Sequence, residues 1–385
     1  MNEWIVPLAA PRLLDDEIEQ LAAGYRSGWW TIGPRAERLE ADLCGYTGAE
    51  HAVAVSSCTA ALHLACLALE LGPGDSVVLP AITFAAAANM VAATGARPVF
   101  AEIKSVTEPW LDPAAVEAAL AGGSRGVINL AYGGHPGEVE QIARVATERG
   151  APLVEDAAHA AGSWAGGRHL GTIGGAGALS FSASKNLAVG EGGALLCRDA
   201  EAAARARSLR WQGISSSTAR RHSDPVGDYA VERPGFNYRF DDPRAGVVSA
   251  RLRRLDRDNA RRAELAAAYR NALAGEERLV PTAPPPAGER ASHCIFTAVV
   301  AEGVERDALR RELAERGVQT SVHFPPLHVS PAYADASPVR LPVSEDYGRR
   351  SVTLPLFPEM EQRQLDLVVE AVRSALPRCE RRSAA

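Results

Sequence analysis

The chain of 385 residues is 46% apolar and 23% charged, a composition typical of a folded protein large enough for more than one hydrophobic core. Its formal net charge of -6 argues against a surface for nucleic acid or anionic membranes, because such surfaces are rich in Lys and Arg. The chain shows no basic leader, no apolar run of the about 20 residues that a membrane span needs, and no CxxC pair among its six cysteines. We therefore expect a cytoplasmic protein with free thiols.

Short apolar runs alternate with helical stretches from residue 51 to residue 210. This alternation predicts a largely parallel sheet that is covered by helices on both faces. Gly and Pro mark several boundaries, as at Gly72-Pro73-Gly74, which ends one predicted helix. The predicted strands are 51–57, 75–80, 96–103, 126–131, 151–157, 177–184 and 192–198. The predicted helices between and after them are 59–72, 84–94, 111–120, 137–150 and 200–210.

The second part of the chain has a different pattern. Residues 247–273 predict one long, Arg-rich helix, and a loop rich in Pro and Gly follows at 277–290. We therefore predict an α/β protein in which a large domain, residues 1–245, carries a mostly parallel sheet and a smaller C-terminal α+β domain covers residues 246–385. In the small domain, a β-α-β-α order is predicted for 292–303, 305–317, 318–324 and 361–376.

The segment SSCTAALHL (56–64) places small hydroxylated residues between a predicted strand and a predicted helix. The first turn of a helix has unpaired N–H groups and a partial positive charge, so it favours a phosphate. We expect Thr59 and the backbone of Cys58 and Ala60 to face such an anion. An ordinary helix cap accounts for the same residue types and is the alternative.

The segment LVEDAAHAAGS (153–163) ends an apolar strand with Asp156, at the edge where open α/β sheets hold their ligands. A carboxylate at this place pairs with a protonated pyridine nitrogen and keeps such a ring electron-withdrawing. His159 follows within one helical turn and is a candidate for contact with the same ring. The alternatives are that Asp156 caps the turn that follows the strand and that His159 makes an ordinary structural hydrogen bond.

Lys185 lies in GALSFSASKNLAVGEGGALL (177–196), after an apolar strand and before a glycine-rich turn. The only other lysine in the sequence is Lys104. A lysine that is partly desolvated in a cleft has a neutral, nucleophilic amine, as a Schiff base requires. Ser180 is a candidate phosphate donor, and Phe84, just after a strand, suits stacking on a heteroaromatic ring. A solvated lysine and a core phenylalanine are the alternatives.

Taken together, these segments resemble the DegT/StrS family of sugar aminotransferases. The resemblance covers nearly the whole chain in the family's order, and jointly the motifs are highly specific. It implies the aspartate aminotransferase-like architecture of fold type I, pyridoxal 5'-phosphate (PLP) as cofactor, and a homodimer with shared active sites. The further segments that carry the resemblance are 28–55, PGFNYRFDDPRAG (234–246), VQTSVHFPPLH (318–328) and 341–360.

The resemblance also implies roles for individual residues. Lys185 is expected to form the internal aldimine and Asp156 to pair with the pyridinium nitrogen. Asn237 or Arg239 is expected to reach the phosphate in the neighbouring subunit, and His323 to lie on the substrate side. No metal site is expected. The whole set of expected cofactor-binding residues is Cys58, Thr59, Ala60, Phe84, Asp156, His159, Ser180, Lys185, Asn237 and Arg239.

The resemblance implies transamination, in which glutamate or glutamine gives an amino group, Lys185 moves a proton as general base and then acid, and a keto-sugar takes up the nitrogen. The expected acceptor is a nucleotide-diphosphate-linked 3- or 4-keto-6-deoxyhexose of amino-sugar biosynthesis, with Arg210 and Arg221 as candidate diphosphate ligands. A cyclitol aminotransferase of antibiotic biosynthesis has the same cofactor residues and is the alternative. A PLP-binding regulator is disfavoured, because the sequence shows no DNA-binding module or basic stretch.

Overall fold

The first part of the chain has the predicted alternation of strands and helices. A computed structural model describes residues 4–214, 230–334 and 339–380, and every strand predicted between residues 51 and 198 is present in it. The elements of this part are α1 (Asp15–Arg26), α2 (Pro34–Thr47), β1 (His51–Val55), α3 (Cys58–Ala68), β2 (Ser76–Pro80), α4 (Ala85–Ala93), β3 (Arg97–Ala101), α5 (Pro113–Ala121), β4 (Gly126–Leu130), α6 (Val139–Glu148), β5 (Leu153–Asp156), β6 (Trp164–Ala165), β7 (Arg168–His169), β8 (Ala176–Ser180), β9 (Gly193–Cys197) and α7 (Ala200–Arg210).

Seven of these strands form one sheet in the order β1-β9-β8-β5-β4-β2-β3. Strand β9 is antiparallel to its neighbours β1 and β8, and all the other neighbouring strands are parallel. Every residue of β4, β5, β8 and β9 is buried, and apolar side chains pack on both faces of the sheet. The mostly parallel sheet of an α/β protein is therefore confirmed.

The parallel strands end at one edge of the sheet, and the predicted site residues follow those ends. Strand β5 ends at Asp156, β8 ends at Ser180 shortly before Lys185, and β1 is followed by Ser57, the N-cap of α3. Open α/β sheets bind their ligands at the carboxyl ends of parallel strands. The topology thus brings three segments that are distant in sequence to the same edge.

The second part of the chain folds around a smaller sheet. Its three strands are antiparallel, and its apolar core includes Val6 from the N-terminal segment, whose backbone pairs with that of Val318. The elements of this part are α8 (Asp242–Leu252), α9 (Leu255–Ala272), β10 (Leu279–Pro281), β11 (Phe296–Val300), α10 (Arg306–Glu315), α11 (Pro342–Arg350), β12 (Ser351–Leu354) and α12 (Gln362–Ala375).

Two predictions for this second part are wrong. Residues 318–324 are not a strand, because Val318 and Ser321 form only isolated bridges and the strand that completes the sheet is β12. The predicted long helix is two helices, α8 and α9, separated at Arg253-Arg254, a break that periodicity does not reveal because both sides are helical. The predicted domain boundary after residue 245 falls inside α8, which packs against α1 and α2. The division into two domains stays a prediction.

Candidate active site

Asp156 is a buried carboxyl group at the end of β5, with an exposed fraction of 3%. Its Oδ1 accepts a backbone hydrogen bond from the Ala158 N–H at 3.1 Å, and the Cys58 thiol lies 4.0 Å from the same oxygen. Burial raises the pKa of Asp156 to about 6, while the Ala158 hydrogen bond and the positive charge of Lys185 oppose this rise. A buried carboxyl group with so few partners is suited to a cationic ligand group.

Lys185 lies in the loop between β8 and β9 and is partly exposed. Its backbone N–H donates to the Ser182 carbonyl at 2.9 Å, and this hydrogen bond closes a tight turn directly after β8. The positive charge of Lys185 acts to lower the pKa values of Asp156, His159 and His323. These three groups therefore lie around the lysine, although they come from segments that are far apart in sequence.

The first turn of α3 is the segment that is predicted to bind a phosphate. The N-cap residue Ser57 accepts a hydrogen bond from the Ala60 N–H at 3.1 Å, so this amide already has a partner. A side-chain carbon at Gly193 would come within 2.6 Å of the Cys58 nitrogen, so the backbone of β9 packs directly against the helix start. Three groups of this turn have no hydrogen-bond partner within the described ranges. They are the N–H groups of Cys58 and Thr59 and the hydroxyl of Thr59.

Ser180 closes β8 beside these groups. It is 6% exposed, and its hydroxyl oxygen accepts a hydrogen bond from the Ser182 N–H at 3.3 Å. The hydroxyl proton of Ser180 takes no part in this hydrogen bond, so the hydroxyl can still donate it to another group. Its place at the carboxyl edge is compatible with the predicted contact to a phosphate, which stays a prediction.

Two histidines, the buried His159 and the partly exposed His323, lie near Lys185, with ring centres 6.2 Å apart. Desolvation lowers the pKa of His159 well below its usual value and that of His323 to about 4, and the charge of Lys185 adds to both effects. The Gly133 N–H donates to Nδ1 of His159 at 3.1 Å, whereas Nδ1 of His323 lies 2.8 Å from Oγ1 of Thr353. Both rings are therefore neutral at physiological pH.

Phe84 precedes α4 and is 60% exposed, although it is a large apolar side chain. Its ring centre lies 5.9 Å from that of Phe324, and Phe324 lies 6.0 Å from His159 with the two ring planes 22° apart. An exposed aromatic beside these rings suits stacking on a planar ligand. Phe324 is a further candidate for the site that the sequence did not reveal, and its position next to His323 is the one signal that points to it.

A second layer of hydrogen bonds holds the loops that carry the site. Nδ2 of Asn186 donates to Oδ1 of Asn259 at 2.6 Å and to the Ser292 carbonyl at 2.9 Å. Nδ2 of Asn259 donates to the Ala161 carbonyl at 2.9 Å, and Oγ of Ser292 donates to the His159 carbonyl at 2.5 Å. The loops of Lys185 and His159 are thus tied to α9 and to the segment before β11. No sequence motif marks Asn259 or Ser292.

The segment 236–240 runs beside the end of β1, where the Ser56 N–H donates to the Tyr238 carbonyl at 2.8 Å. Asn237 is exposed, and its side-chain oxygen accepts a hydrogen bond from Nε of Arg239 at 3.0 Å. The backbone that carries both side chains thus lies beside the end of β1, just before α3. Their predicted contact with the cofactor of a neighbouring subunit stays a prediction.

Arg210 is not accessible to a substrate. It is 7% exposed, its Nη1 pairs with Oε1 of Glu40 at 2.6 Å, and the same nitrogen donates to the Ala54 carbonyl at 2.8 Å. The prediction that Arg210 binds a diphosphate is therefore wrong, because an Arg-rich sequence does not separate buried arginines from exposed ones. The second candidate, Arg221, lies outside the described residues.

Two kinds of feature are absent from residues 4–214, 230–334 and 339–380. No group of three or more His, Cys, Asp or Glu side chains in these ranges is arranged to hold a metal ion. No helix in the same ranges is both long enough and apolar enough to cross a membrane.

The mostly parallel sheet, with a lysine loop after β8 and a buried aspartate at the end of β5, defines the protein as a fold-type-I transferase. The chain belongs to the DegT/DnrJ/EryC1/StrS aminotransferase family, whose model matches residues 11–373. The members of this family are PLP-dependent aminotransferases, and the resemblance that the sequence motifs indicate is confirmed.

Individual relatives match almost the full chain. Over 375 residues the protein is 37% identical to the spore coat polysaccharide biosynthesis protein SpsC of Bacillus subtilis (strain 168), with 96% of each chain covered. It is 36% identical to the aminotransferase TlmJ from Streptoalloteichus hindustanus, with a TM-score of 0.91 over 97% of this chain and 99% of that one. It is also 36% identical to DesV of S. venezuelae, solved in complex with a ketimine intermediate, with a TM-score of 0.87 over 96% and 98% of the two chains.

Proposed function

We propose that this protein uses PLP to move an amino group from glutamate or glutamine to a keto-sugar. The observation that carries the proposal is Asp156, a buried carboxyl group with few partners, close to Lys185 at the carboxyl edge of the sheet. PLP has a basic ring nitrogen, a phosphate and an aldehyde, which match Asp156, the first turn of α3 and Lys185. When bound, PLP supplies an electron sink for the substrate carbon that exchanges its proton.

Each residue of the site has a proposed task. Asp156 holds the proton on the ring nitrogen by ion pairing. Lys185 would attach the cofactor through its amine and, once displaced, would take the proton from the amino-bearing carbon of the donor and pass it to the aldehyde-derived carbon of the cofactor. Thr59 and Ser180, with the free N–H groups at the start of α3, hold the phosphate. Phe84 covers one face of the ring.

The proposed acceptor is a 3- or 4-keto-6-deoxyhexose linked to a nucleotide diphosphate. The similarity to SpsC, whose name refers to polysaccharide biosynthesis, supports a sugar substrate. We further propose a cytoplasmic homodimer in which Asn237 or Arg239 reaches the phosphate of the neighbouring subunit's cofactor. The proposal is supported by the exposure of Asn237, in a segment whose backbone runs beside the end of β1.

The two lysines of the chain provide a matched test. Lys104 lies at the surface and forms ion pairs with Glu138 and, at 3.7 Å, with Glu108, so Lys104→Ala removes a lysine without touching the site. Parent and Lys104→Ala, supplied with PLP, are expected to show the visible absorbance of the lysine-bound cofactor and its shift on addition of glutamate. Lys185→Ala is expected to lose that shift and at least about 10³-fold in transamination rate. Equal rates in Lys185→Ala and the parent contradict the proposal.

The acceptor is tested separately. Nucleotide-linked 3-keto and 4-keto sugars and keto-inositols are offered as acceptors, each with glutamate and with glutamine as donor. Amination of a nucleotide sugar supports the proposed acceptor class. Turnover of keto-inositols without turnover of nucleotide sugars replaces it by a cyclitol and leaves amino transfer itself intact.

A further inference from the structure

His323 is held by hydrogen bonds to its ring and to its backbone. Its Nδ1 lies 2.8 Å from Oγ1 of Thr353, in β12. Its carbonyl accepts a hydrogen bond from the hydroxyl of Tyr347, in α11, at 3.3 Å and another from the hydroxyl of Tyr132, just after β4. The two tyrosines are buried, and their hydroxyl oxygens lie 2.7 Å apart. The position of His323 is therefore set jointly by the first and the second part of the chain.

The hydroxyl of Thr353 decides which ring nitrogen of His323 carries the proton. Thr353 is 1% exposed, and Nδ1 of His323 is the hydrogen-bond partner of its side chain within the described ranges. A buried hydroxyl proton without an acceptor is costly, so Oγ1 donates and Nδ1 accepts. The ring is neutral, since desolvation and the charge of Lys185 lower its pKa to about 4. The proton of the neutral ring is therefore on Nε2.

The Nε2–H of His323 is free for a ligand. Its ring lies near Lys185 and 6.2 Å from the ring of His159. The hydrogen bond from the Gly133 N–H makes Nδ1 of His159 an acceptor too. Nε2 of His323 bonds to no residue in the described part of the chain. A substrate that reaches His323 would thus find a neutral N–H donor whose orientation is set in advance.

We propose that Thr353 is a positioning residue, which makes His323 present an Nε2–H donor to a substrate oxygen beside the reacting carbon. Such an oxygen is a hydroxyl of the sugar acceptor or a carboxylate oxygen of the amino donor. The identity of these substrates rests on the proposed function, whereas the tautomer of His323 does not. Thr353 touches no substrate and acts through His323 alone.

The tautomer is measured by NMR of the PLP-free protein with ¹⁵N-labelled histidine. The chain has nine histidines, and the signals of residue 323 are identified by their loss in His323→Asn. The parent and Thr353→Ser are expected to carry the proton on Nε2. Thr353→Val, which lacks the hydroxyl, is expected to shift part of the population to the Nδ1–H form. A parent ring that carries its proton on Nδ1 overturns the proposal, whatever reaction the protein catalyses.

Kinetics then identify the substrate oxygen. Thr353→Val is expected to lower kcat/KM about 10- to 100-fold for the substrate that His323 contacts, while Thr353→Ser stays within about threefold of the parent. A rise in KM for the keto-sugar assigns the contact to the acceptor, and a rise in KM for glutamate assigns it to the donor. The control is Thr47→Val, because Oγ1 of Thr47 bonds to the Leu43 carbonyl within α2, and it is expected to change neither KM.

Equal kinetics for Thr353→Val and Thr353→Ser overturn the role of the Thr353 hydroxyl in catalysis. If Thr353→Val does not fold, the NMR measurement on the parent and the kinetics of His323→Asn still decide the matter, because an unchanged kcat/KM in His323→Asn excludes the contact. If the parent aminates no keto-sugar, the proposed function fails, and the tautomer of His323 remains a separate result.

Discussion

Two neighbouring carboxyl groups on β5 have contrasting environments. Glu155 and Asp156 are both buried, with exposed fractions of 2% and 3%, and burial raises the pKa of each. Glu155 accepts backbone hydrogen bonds from the N–H groups of Gly171 at 2.8 Å and of Ile173 and Gly174 at 2.7 Å. The carboxyl group of Asp156 accepts one backbone hydrogen bond within the described ranges, from the Ala158 N–H.

This contrast follows from the alternation of side chains along a strand. Glu155 points to one face of the sheet, where it organises the loop before β8. Asp156 points to the opposite face, where Lys185 and the start of α3 lie. Burial alone therefore does not distinguish the two carboxyl groups. The number of protein partners separates the two, because a group that lacks partners inside the protein has capacity for a ligand.

The largest expected effect comes from Asp156→Asn. The amide keeps the shape and the hydrogen bond from Ala158 but cannot pair with a cationic ring nitrogen, so we expect kcat to fall about 10²- to 10⁴-fold. The free energy of unfolding of the PLP-free protein is expected to stay equal or to rise. Steady-state kinetics at saturating PLP and urea denaturation measure the two quantities. Parental turnover in this variant would remove Asp156 from the catalytic machinery.

Glu155→Gln tests the other side of the comparison. Its amide has one oxygen for three N–H donors and places an NH₂ group against them, so we expect the free energy of unfolding to fall by about 2–4 kcal/mol. The activity of each folded molecule is expected to stay within about threefold of the parent, since Glu155 faces away from the site. Urea denaturation and active-site titration check both values. A variant that loses activity at unchanged stability would show that Glu155 does not have a purely structural role.

The pH dependence of stability gives the smallest expected effect. Folded Asp156 keeps its proton up to a pH near its pKa of about 6, whereas the unfolded chain releases it near the usual value of 3.8. The folded state thus binds the extra proton between these values, and the contribution of Asp156 to stability falls as the pH rises through this window. Between about pH 4 and pH 8, the stability difference between Asp156→Asn and the PLP-free parent is expected to grow by about 2–3 kcal/mol in favour of the variant.

Taking the difference between variant and parent is essential to this measurement. His159 and His323 have lowered pKa values in the folded protein, so their contributions rise with pH and oppose that of Asp156. These contributions are common to both proteins and cancel in the difference. Unfolding curves of the two PLP-free proteins at several pH values supply the data. A difference that does not change with pH would contradict the raised pKa of Asp156.

Residues tied to a strand end were predictable from the sequence. Asp156 and Lys185 each follow an apolar run, and a parallel sheet brings such ends to one edge. Residues that act through long-range contacts were not predictable. Asn259 lies 73 positions from its partner Asn186, and Thr353 lies 30 positions from His323. Neither separation along the chain corresponds to a helical turn or a hairpin, so the sequence alone does not predict either contact.

The sequence by itself determined the order of strands and helices between residues 51 and 210 and the parallel sheet, because periodicity reports which face of an element is buried. Its motifs indicated the family by resemblance. Only the tertiary structure decided that Ser57 caps the Ala60 amide and that Glu40 neutralises a buried Arg210. It also decided that β12, not 318–324, completes the second sheet. The physical reason is that a polar group or a strand edge takes whichever partner the fold brings within hydrogen-bonding distance, and that partner is not encoded locally.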